Sequence, residues 1–552
     1  MKVPMFDKNL PNIILLSDKT DVITMAKTLG PYKVAHALRS HGFEVAVIHH
    51  LSVFSFDEIC HILSNLISDK TLFVGVNNFF YADISKQKRS DNGGVILQNI
   101  EPGSILPHGP QYNSIVRNLI REQNPNCKLV LGGPTARDVA YNKIFDYQCL
   151  GYSESSIVNL AQHLANPKIH LQKTHKSVHG PVIIDDSRAE SYDFSECQMN
   201  YQDHDVILPG ETLLLEVARG CIFKCAFCSF PMNGKKKLDF IRNMDLIYQE
   251  LVDNYERFGV TRYFFSDDTV NDSPEKCEMI HDMSKRLPFQ LEWWGYIRLD
   301  LLTAHPKTVD WLFGSGLRAA FFGIETLNPD TAKAIGKGGD RTRLFNTVRK
   351  IKQQYGDSVN LHASFIYGLP HESMQSLQQT TDFLLSEQNP LDSWQVNALN
   401  IRPNNQTYSN DFLSDLDKNY AKYGYSVLGN ELCSQGSIYS LARYEHGQMI
   451  WQNEHTNLPE VQKLVEEIYK QSHHVRNKIS GQSAFNLAGL GLDLSTSFNK
   501  KMDQIDWHEL DKKKMQRMML YKNNLFEKLA LPTIPTTNAH TETFSSWLIE
   551  QA

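Results

Sequence analysis

Residues 213–228 read LLLEVARGCIFKCAFC, and this stretch decides how the central part of the chain is interpreted. Its apolar start predicts a buried strand over 213–218, so Cys221, Cys225 and Cys228 lie on a loop at the carboxyl end of a strand. Thiolates are soft ligands that select iron–sulfur clusters, zinc or copper(I). A four-iron cluster takes four protein thiolates, and three are close together here. The spacing therefore favours a cluster with one iron open to a ligand from outside the protein.

A structural zinc site is the alternative reading of the same three thiols. Structural zinc is normally closed by four ligands, so a fourth would have to come from a distant part of the chain. Cys197 and Cys277 are the candidates. The spacing of the loop cysteines alone leaves this alternative open.

The cysteine loop opens a series of alternating strands and helices. Five further strand patterns follow that of 213–218, at 262–265, 291–296, 319–324, 360–367 and 393–401. Amphipathic or well capped helical segments lie between them. Six such units are too few for a closed eight-stranded barrel, but they suit an open, partial (β/α)6 barrel of the TIM type.

A second alternating series precedes the cysteine loop. Four buried strands are predicted at 12–17, 44–49, 72–76 and 128–132, with helical spacing between them, apart from a loop insertion at about 81–111. This pattern predicts an α/β, doubly wound, Rossmann-like domain whose ligands bind beyond the carboxyl ends of the strands. The expected organisation is a Rossmann-like domain over 1–165, a linker over 166–210, the partial barrel over 211–404, and a mainly helical lid or substrate region over 405–552.

Composition and charge exclude several classes of protein. The chain has 552 residues, with 56 Lys and Arg against 62 Asp and Glu, a formal net charge of -6. This balance provides no polycationic field for nucleic acid or for an anionic membrane, so we expect neither as a partner. No apolar run approaches the roughly 18 residues of a membrane-spanning helix. Nine cysteines are an odd and small number for a secreted disulfide framework, so the expected compartment is the cytoplasm.

The C-x-x-x-C-x-x-C loop after the first strand of a partial barrel resembles the signature of radical S-adenosylmethionine (SAM) enzymes. Later strand ends resemble the family as well, in the segments FFSDDTVN (264–271), YIRLD (296–300), GIET (323–326), YGLPHES (367–373) and NIRP (400–403). The resemblance implies that the open iron binds the amino and carboxylate groups of SAM and that Phe227 packs beside the adenine. The resemblance also implies that four charged residues contact a cofactor, namely Asp267, Arg298, Glu325 and Arg402.

The amino-terminal domain resembles the cobalamin-binding domain found ahead of this barrel in one large radical SAM subgroup. LGGPTA (131–136) matches that subgroup's glycine pair, and GYSE (151–154) resembles its G-x-x-E element. The resemblance makes Gly132, Gly133 and Glu154 candidate cobalamin contacts, since bare backbone permits close approach of a nucleotide tail. Cobalamin domains with a lower axial histidine carry D-x-H-x-x-G, but alignment on Asp18 puts Thr20 at the histidine. We therefore expect cobalamin without a histidine below the cobalt.

The resemblance implies an enzyme with a [4Fe–4S] cluster, SAM and cobalamin as cofactors. Methyl transfer to an unactivated carbon of a small molecule or natural-product intermediate is the expected reaction, with a flavodoxin or ferredoxin as electron donor. Two alternatives remain. One is a radical SAM oxidoreductase, mutase or cyclase that does not use cobalamin, and the other is a non-catalytic cluster- or cobalamin-binding sensor. The catalytic residues and the substrate cannot be read from the sequence.

Overall fold

The computed structural model describes residues 10–17, 26–77, 110–133, 144–172, 174–176, 181–186, 194–230, 232–402, 413–431, 448–472 and 478–531. The chain divides into two compact units. The first contains 1–192, 198–209 and 506–552, and the second contains 193–197 and 210–505. Within the described ranges, no helix combines the length and the apolarity needed to cross a membrane.

Unit 1 is built on a seven-stranded sheet. Its strands are β1 (Ile13–Ser17), β2 (Val45–Ile48), β3 (Phe73–Asn77), β4 (Lys128–Gly132), β5 (Tyr147–Gly151), β6 (Thr174–Lys176) and β7 (Val182–Asp186). They lie in the order β2-β1-β3-β4-β5-β7-β6, and all pair in parallel except β6 with β7. The predicted doubly wound fold is confirmed. The expected linker differs from the structure, because β6 and β7 lie within it and extend this sheet.

Four helices lie between successive strands of β1 to β6 along the chain. They are Leu29–Ser40, Phe56–Leu66, Pro110–Gln123 and Glu154–Ala165. A fifth helix, Trp507–Lys528, comes from the far end of the chain. Its Tyr521, Leu525 and Phe526 are buried in the same core as Ile14 and Leu16 of β1. Residues 506–531 are thus part of the Rossmann-like unit, whereas the sequence placed them in a separate carboxyl-terminal region.

Unit 2 is built on a six-stranded parallel sheet. Its strands are β8 (Leu213–Leu215), β9 (Arg262–Phe265), β10 (Glu292–Ile297), β11 (Leu317–Glu325), β12 (Asn360–Tyr367) and β13 (Ser393–Ala398). They follow one another in sequence order, and every pair is parallel. β8 and β13 form the two edges, so the described strands make an open, partial barrel as predicted.

The helices of unit 2 follow the strands in βα order. They are Met244–Phe258, Pro274–Lys285, Leu299–Ala304, Lys307–Gly314, Pro329–Ala334, Arg341–Tyr355 and Met374–Leu385, followed by Asp415–Lys418, the antiparallel pair β14 (Ser426–Glu431) and β15 (Gln448–Gln452), and helices Leu458–Ser472, Gly481–Gly489 and Leu494–Phe498. Side chains of the strands alternate in direction, and those that face the helices are fully covered. Trp293, Phe322 and Leu361 are each 0% exposed.

The helix Gly481–Gly489 lies against the starts of the barrel strands. A Cβ atom at Gly481 would stand 2.2 Å from Cβ of Ala319, near the beginning of β11. The Asn360 side chain, at the first residue of β12, donates to the carbonyl of Ile479 at 3.1 Å. This part of the expected lid therefore packs at the end of the barrel opposite to the cysteine loop. The described residues of 405–552 therefore do not form one lid, because residues 506–531 belong to unit 1 and the helix Gly481–Gly489 packs at the starts of the barrel strands.

Candidate functional site

The cysteine loop follows β8 and is held by its own backbone. Gly220 has φ +73, and a Cβ there would approach the carbonyl oxygen of Met232 to 2.5 Å, so glycine is required. The backbone N–H of Cys221 donates to Met232 at 3.2 Å, and its carbonyl accepts from Gly234 at 2.7 Å. These two bonds form a parallel bridge to Asn233 that fixes the backbone of Cys221, whose thiol lies 3.5 Å from the Thr269 hydroxyl.

The second thiol lies between positively charged groups. Nη1 of Arg298 is 3.5 Å from Sγ of Cys225 and is placed to donate to it. Burial raises the pKa of the Cys225 thiol, and the positive charges of Lys337 and Arg298 oppose that rise. Burial also raises the pKa of Cys228, while the Asn233 amide lowers it. The neighbouring positive charges and the Asn233 amide thus offset part of the cost of placing negative charge on these buried sulfur atoms.

Arg298 is held in a fixed orientation. Its Nε and Nη2 donate to the two carboxylate oxygens of Asp300 at 3.0 and 2.6 Å. Asn271 brackets its backbone, accepting from the Arg298 N–H at 2.8 Å and donating to the carbonyl at 2.9 Å. The guanidinium also lies 3.8 Å from the ring centroid of Phe223. The structure thus brings this predicted residue directly to the cysteine loop.

Glu325 also lies at the site, at the end of β11. It has φ +69, a conformation that is unfavourable for a residue with a side chain, and the β11–β12 register shifts at this point. Lys337 pairs with its carboxylate at 3.5 Å and donates to the Gly323 carbonyl at 2.7 Å. Burial raises the pKa of Glu325, and Lys337 opposes the rise. Lys337 was not predicted as a site residue, since a lysine in the loop IGKGGD (335–340) carries no recognisable motif.

Asp267 has a different role from the one that the resemblance implied. Its two carboxylate oxygens accept from the backbone N–H groups of Val217 and Ala218 at 2.8 and 3.0 Å. Lys276, which is fully buried, lies 3.5 Å from the same carboxylate. Asp267 therefore ties the start of the cysteine loop to the neighbouring strand β9. Its 1% exposure leaves no open face toward a cofactor.

Arg402 is likewise engaged within the protein. Its Nε and Nη2 donate to Oδ2 of Asp417 at 3.1 and 2.5 Å, and its backbone N–H donates to Oδ1 at 2.8 Å. The adjacent residue Leu416 donates its N–H to the carbonyl of Ala226 at 2.8 Å. Arg402 thus supports the cysteine loop through Asp417. We correct its expected role from a cofactor contact to a support of the loop.

The two turns at the ends of β11 and β12 are joined by one buried carboxyl group. Glu372 accepts the hydroxyl of Thr326 at 2.6 Å and the N–H groups of Gly368 and Leu369 at 3.0 Å. Burial raises its pKa to about 7. The G-L-P-x-E and G-I-E-T motifs are therefore two halves of one structural connection.

The remaining cysteines do not form a ligand set with the loop. The thiol of Cys277 is buried in helix Pro274–Lys285, and burial raises its pKa to about 12. Cys197 is buried as well, and its carbonyl accepts from Nε of Arg242 at 2.7 Å. In the described part of the chain, no group of three or more histidine, cysteine, aspartate or glutamate side chains is arranged to hold a single metal ion.

Phe227, the predicted adenine neighbour, is half-buried on the loop next to Cys228. Nζ of Lys337 lies 5.8 Å from its ring centroid. The preceding residue Ala226 donates its N–H to the carbonyl of Ile335 at 3.0 Å. One face of the loop is thus anchored, and the phenyl ring stays partly exposed.

In unit 1, the carboxyl edge of the sheet carries a connected set of polar side chains. Ser17, at the end of β1, lies 3.0 Å from the Thr28 hydroxyl and accepts from the Asn77 amide at 3.2 Å. Nε2 of His49 accepts the Thr28 N–H at 3.1 Å, and the His49 N–H donates to the Tyr521 hydroxyl at 3.1 Å. His49 and His50 are both buried.

The predicted cobalamin residues lie at the same edge of unit 1. Gly132 ends β4, and a Cβ built there meets nothing within 4 Å, so its backbone borders open space. Gly133 has φ +99, which glycine adopts without strain. Glu154 is buried at the first residue of helix Glu154–Ala165. Thr20 and residues 134–136 lie outside the described residues, so the expectation about the axial histidine stays a prediction.

The residues present fit the implied cofactors. Three thiols on one loop, with Arg298 and Lys337 beside them, match a cluster whose thiolate ligands carry negative charge. An open backbone edge at Gly132 matches the close approach of a bulky nucleotide tail.

Comparison with known proteins agrees with the geometry. Residues 215–384 match the Radical SAM superfamily. The chain is 28% identical to the bacteriochlorophyllide d C-12(1)-methyltransferase of Chlorobaculum tepidum over 170 residues. The aligned region covers 30% of this chain and 36% of that protein. Over 290 residues the chain is 23% identical to an uncharacterised methyltransferase of Pyrococcus horikoshii, covering 52% of this chain and 59% of that one. The chain thus spans less than two thirds of the length of either relative.

Two solved structures share the fold of nearly the whole chain. The radical SAM methyltransferase TsrM from Kitasatospora setae, solved with cobalamin and a [4Fe–4S] cluster, matches with a TM-score of 0.62 and 14% identity, over 93% of this chain and 100% of that one. The cobalamin-dependent SAM radical enzyme OxsB, solved with aqua-cobalamin and SAM, matches with a TM-score of 0.55 and 14% identity, over 98% and 84%. The barrel is therefore a radical SAM domain, and the fold of the chain is that of solved cobalamin-dependent radical SAM enzymes.

Proposed function

We propose that the protein is a cobalamin-dependent radical SAM methyltransferase that acts on an unactivated carbon of a small molecule. The observation that carries the proposal is the loop of Cys221, Cys225 and Cys228 at the mouth of the partial barrel, with Arg298 bonded to Asp300 and directed at Cys225. Methyl transfer and the use of cobalamin are supported by similarity to the methyltransferase of Chlorobaculum tepidum and by the like fold of TsrM and OxsB, which were solved with cobalamin bound.

In this proposal, the three cysteines would hold a [4Fe–4S] cluster and Phe227 would border the adenine of SAM. When bound, the cluster and SAM would supply a reducible sulfonium and cobalamin would supply a methyl carrier, so the protein's task is to bind, orient and shield them. Arg298 and Lys337 would balance the negative charge of the cluster thiolates. Glu325, which lies next to Lys337, is the proposed partner for a positively charged group of SAM.

Gly132, Gly133 and Glu154 are the proposed cobalamin contacts in unit 1. A flavodoxin or ferredoxin is the proposed electron donor and the cytoplasm the proposed compartment, and neither nucleic acid nor a membrane is proposed as a partner. A radical SAM enzyme that does not use cobalamin remains the second candidate, because the cysteine loop is complete without unit 1.

The test of SAM cleavage uses anaerobically reconstituted protein, dithionite and SAM. We expect 5′-deoxyadenosine or S-adenosylhomocysteine as product, and Cys225→Ala should lose both the cluster and the product. Cys277→Ala is the matched control, since it removes a buried thiol of the same unit that lies outside the loop. Loss of iron in the control but not in Cys225→Ala would refute the assignment.

The test of cobalamin binding uses two glycine variants. Gly132→Val places a branched side chain in open space without strain in the protein, so a loss of corrinoid uptake would report on the ligand. Gly133→Val is less informative because φ +99 makes it strained by itself. Gly429→Val, on β14 with its nearest neighbour at 4.0 Å, is the control. The cobalt(II) form should show no nitrogen superhyperfine splitting in its electron paramagnetic resonance spectrum, and such a splitting would contradict the absence of a histidine ligand.

A further inference from the structure

The inner face of the partial barrel is reached by solvent, whereas its outer face is closed. On the outer face, Trp293 and Phe322 are 0% exposed beneath the helices. On the inner face, Tyr296, Phe321 and Ile366 keep part of their surface exposed, although they belong to the same central strands. Because side chains alternate along a strand, this contrast shows that space remains within the curve of the sheet.

Aromatic rings line one side of that space. Phe264 of β9 stacks on Trp294 of β10, with ring centroids 3.8 Å apart and planes at 6°. Tyr296 meets Phe321 of β11 edge-on at 5.1 Å. The ladder ends at His362 of β12, whose ring lies 4.7 Å from that of Phe321. Rings from four adjacent strands thus form one wall.

The far end of the space is closed, and its open end faces the cysteine loop. Gly481 packs against Ala319 below the ladder, where no larger residue would fit. In the opposite direction, Arg298 directly follows β10, two residues after Tyr296, and reaches Cys225. A molecule that lies on the aromatic wall would therefore have one side directed toward the cluster loop.

One polar atom in the wall has no internal partner. His362 is 5% exposed, its Nδ1 lies 2.8 Å from the Ser393 hydroxyl, and its Nε2 has no hydrogen-bond partner among the described residues. Burial lowers the pKa of His362 to about 4, so the ring is neutral at pH 7. The Gln395 side chain interacts with the ring and opposes the shift, but it makes no hydrogen bond of ordinary geometry to Nε2. A buried, unpaired ring nitrogen is costly unless a ligand satisfies it.

We propose that this wall binds a planar aromatic or heteroaromatic substrate that carries a polar group, with the ring against Tyr296 and Phe321 and the polar group hydrogen-bonded to Nε2 of His362. The proposal names the substrate class of the enzyme proposed above and rests on that function only for the reaction that the bound ring undergoes.

The test measures binding of three small probes to the full-length, cluster-loaded protein by ligand-observed NMR. Phenol and cyclohexanol share a hydroxyl but differ in aromaticity, while phenol and toluene share a ring but differ in the hydroxyl. We expect phenol to bind more tightly than both. Phe321→Leu should weaken phenol about two- to tenfold, whereas Phe322→Leu, on the closed face of the same strand, should leave it unchanged. His362→Phe should keep ring binding and abolish the preference for phenol over toluene.

Equal binding of phenol and cyclohexanol, or an equal effect of the two phenylalanine variants, would overturn the proposal. A preference for phenol that survives in His362→Phe would overturn the role of Nε2. SAM cleavage measured on the same samples separates the two proposals. Cleavage without selective phenol binding refutes the substrate class alone, and selective phenol binding without cleavage refutes the proposed reaction and leaves the aromatic site supported.

Discussion

The two parallel sheets of this protein end in polar edges of different kinds. The barrel edge in unit 2 is connected by ion pairs, among them Arg298–Asp300, Lys337–Glu325 and Lys276–Asp267. The described part of the sheet edge in unit 1 is connected by hydroxyl, imidazole and amide groups around Thr28. Buried charges demand their partners, whereas neutral hydrogen bonds contribute about 1 kcal/mol each. The barrel edge therefore suits a charged cluster. In unit 1 the hydrogen-bonded groups around Thr28 are neutral, although the buried Glu154 lies at the same edge.

Removal of a charge from the barrel edge should have the largest effect on stability. Asp267→Asn takes a charge from the buried pair with Lys276 and disturbs the contact with the Ala218 N–H, while Asp272 still pairs with Lys276 at 2.9 Å. Loss of one partner of a buried ion pair costs about 3–5 kcal/mol, and Asp272 should keep the loss near the lower end. Urea unfolding of the variant and of the natural protein measures this loss of unfolding free energy. The double variant with Lys276→Met should lose less than the sum of the single losses, and strict additivity would contradict direct coupling.

The connection through Glu372 should make the stability of unit 2 depend on pH. Its pKa is raised to about 7 in the folded protein from an ordinary value of 4.5. The folded state therefore binds the proton more tightly, so the stabilisation is complete below pH 4.5 and is lost as the pH rises through 7. The difference corresponds to about 3 kcal/mol at most.

Glu372→Gln mimics the protonated carboxyl and should remove this pH dependence. Its unfolding free energy should stay level between pH 5 and pH 8, while that of the natural protein falls. Glu275→Gln, at an exposed carboxylate, is the control that should follow the natural protein. Parallel curves for Glu372→Gln and the natural protein would show that Glu372 does not titrate in this range.

Removal of the ring beside the cluster loop should affect ligand binding more than stability. Phe227→Ala should leave iron content unchanged and weaken SAM binding about ten- to a hundredfold, since it removes about 1–3 kcal/mol of buried apolar contact. Phe230→Ala, at a 48% exposed phenylalanine two residues beyond the last cysteine, is the matched control. Equal SAM affinity in the Phe227 variant and the natural protein would mean that this ring does not border the adenine.

The smallest expected loss of stability comes from the neutral hydrogen-bonded groups around Thr28 in unit 1. Thr28→Val keeps the shape of the side chain and removes the hydroxyl shared by Ser17, His49 and Asn77. We expect a loss of about 1 kcal/mol in unfolding free energy. Thr303→Val is the control for comparison, since it removes a half-buried hydroxyl contact with Thr347 at 3.0 Å in unit 2. A loss as large as that of Asp267→Asn would contradict the distinction between the two edges.

Sequence alone predicted the first four strands of unit 1 and the six strands of unit 2, because buried parallel strands are short apolar runs at a regular spacing. It also predicted the placement of Arg298 and Glu325 beside the cysteine loop, since both stand at the ends of successive parallel strands. The roles of Asp267 and Arg402 were misjudged, because a carboxylate or guanidinium at a strand end serves a backbone group or an ion pair as readily as a cofactor.

Long-range packing was the part that the sequence did not reveal. The amphipathic helix Trp507–Lys528 returns to the core of unit 1, and nothing in its residues states which apolar surface it covers. The strand Val182–Asp186 lies in the segment expected to be a linker, and its pairing with β5 was not inferred from the sequence. His362 looked like any histidine on a buried strand, and the unpaired Nε2 became visible only with its neighbours in place.

The central claim is tested most directly by the content of iron, sulfide and corrinoid per chain after anaerobic purification with cobalamin available. The account predicts about four iron and four sulfide atoms on the three loop cysteines together with about one corrinoid. One zinc per chain without sulfide would contradict the cluster. A full cluster without corrinoid would contradict the role of unit 1 and favour the radical SAM enzyme that does not use cobalamin.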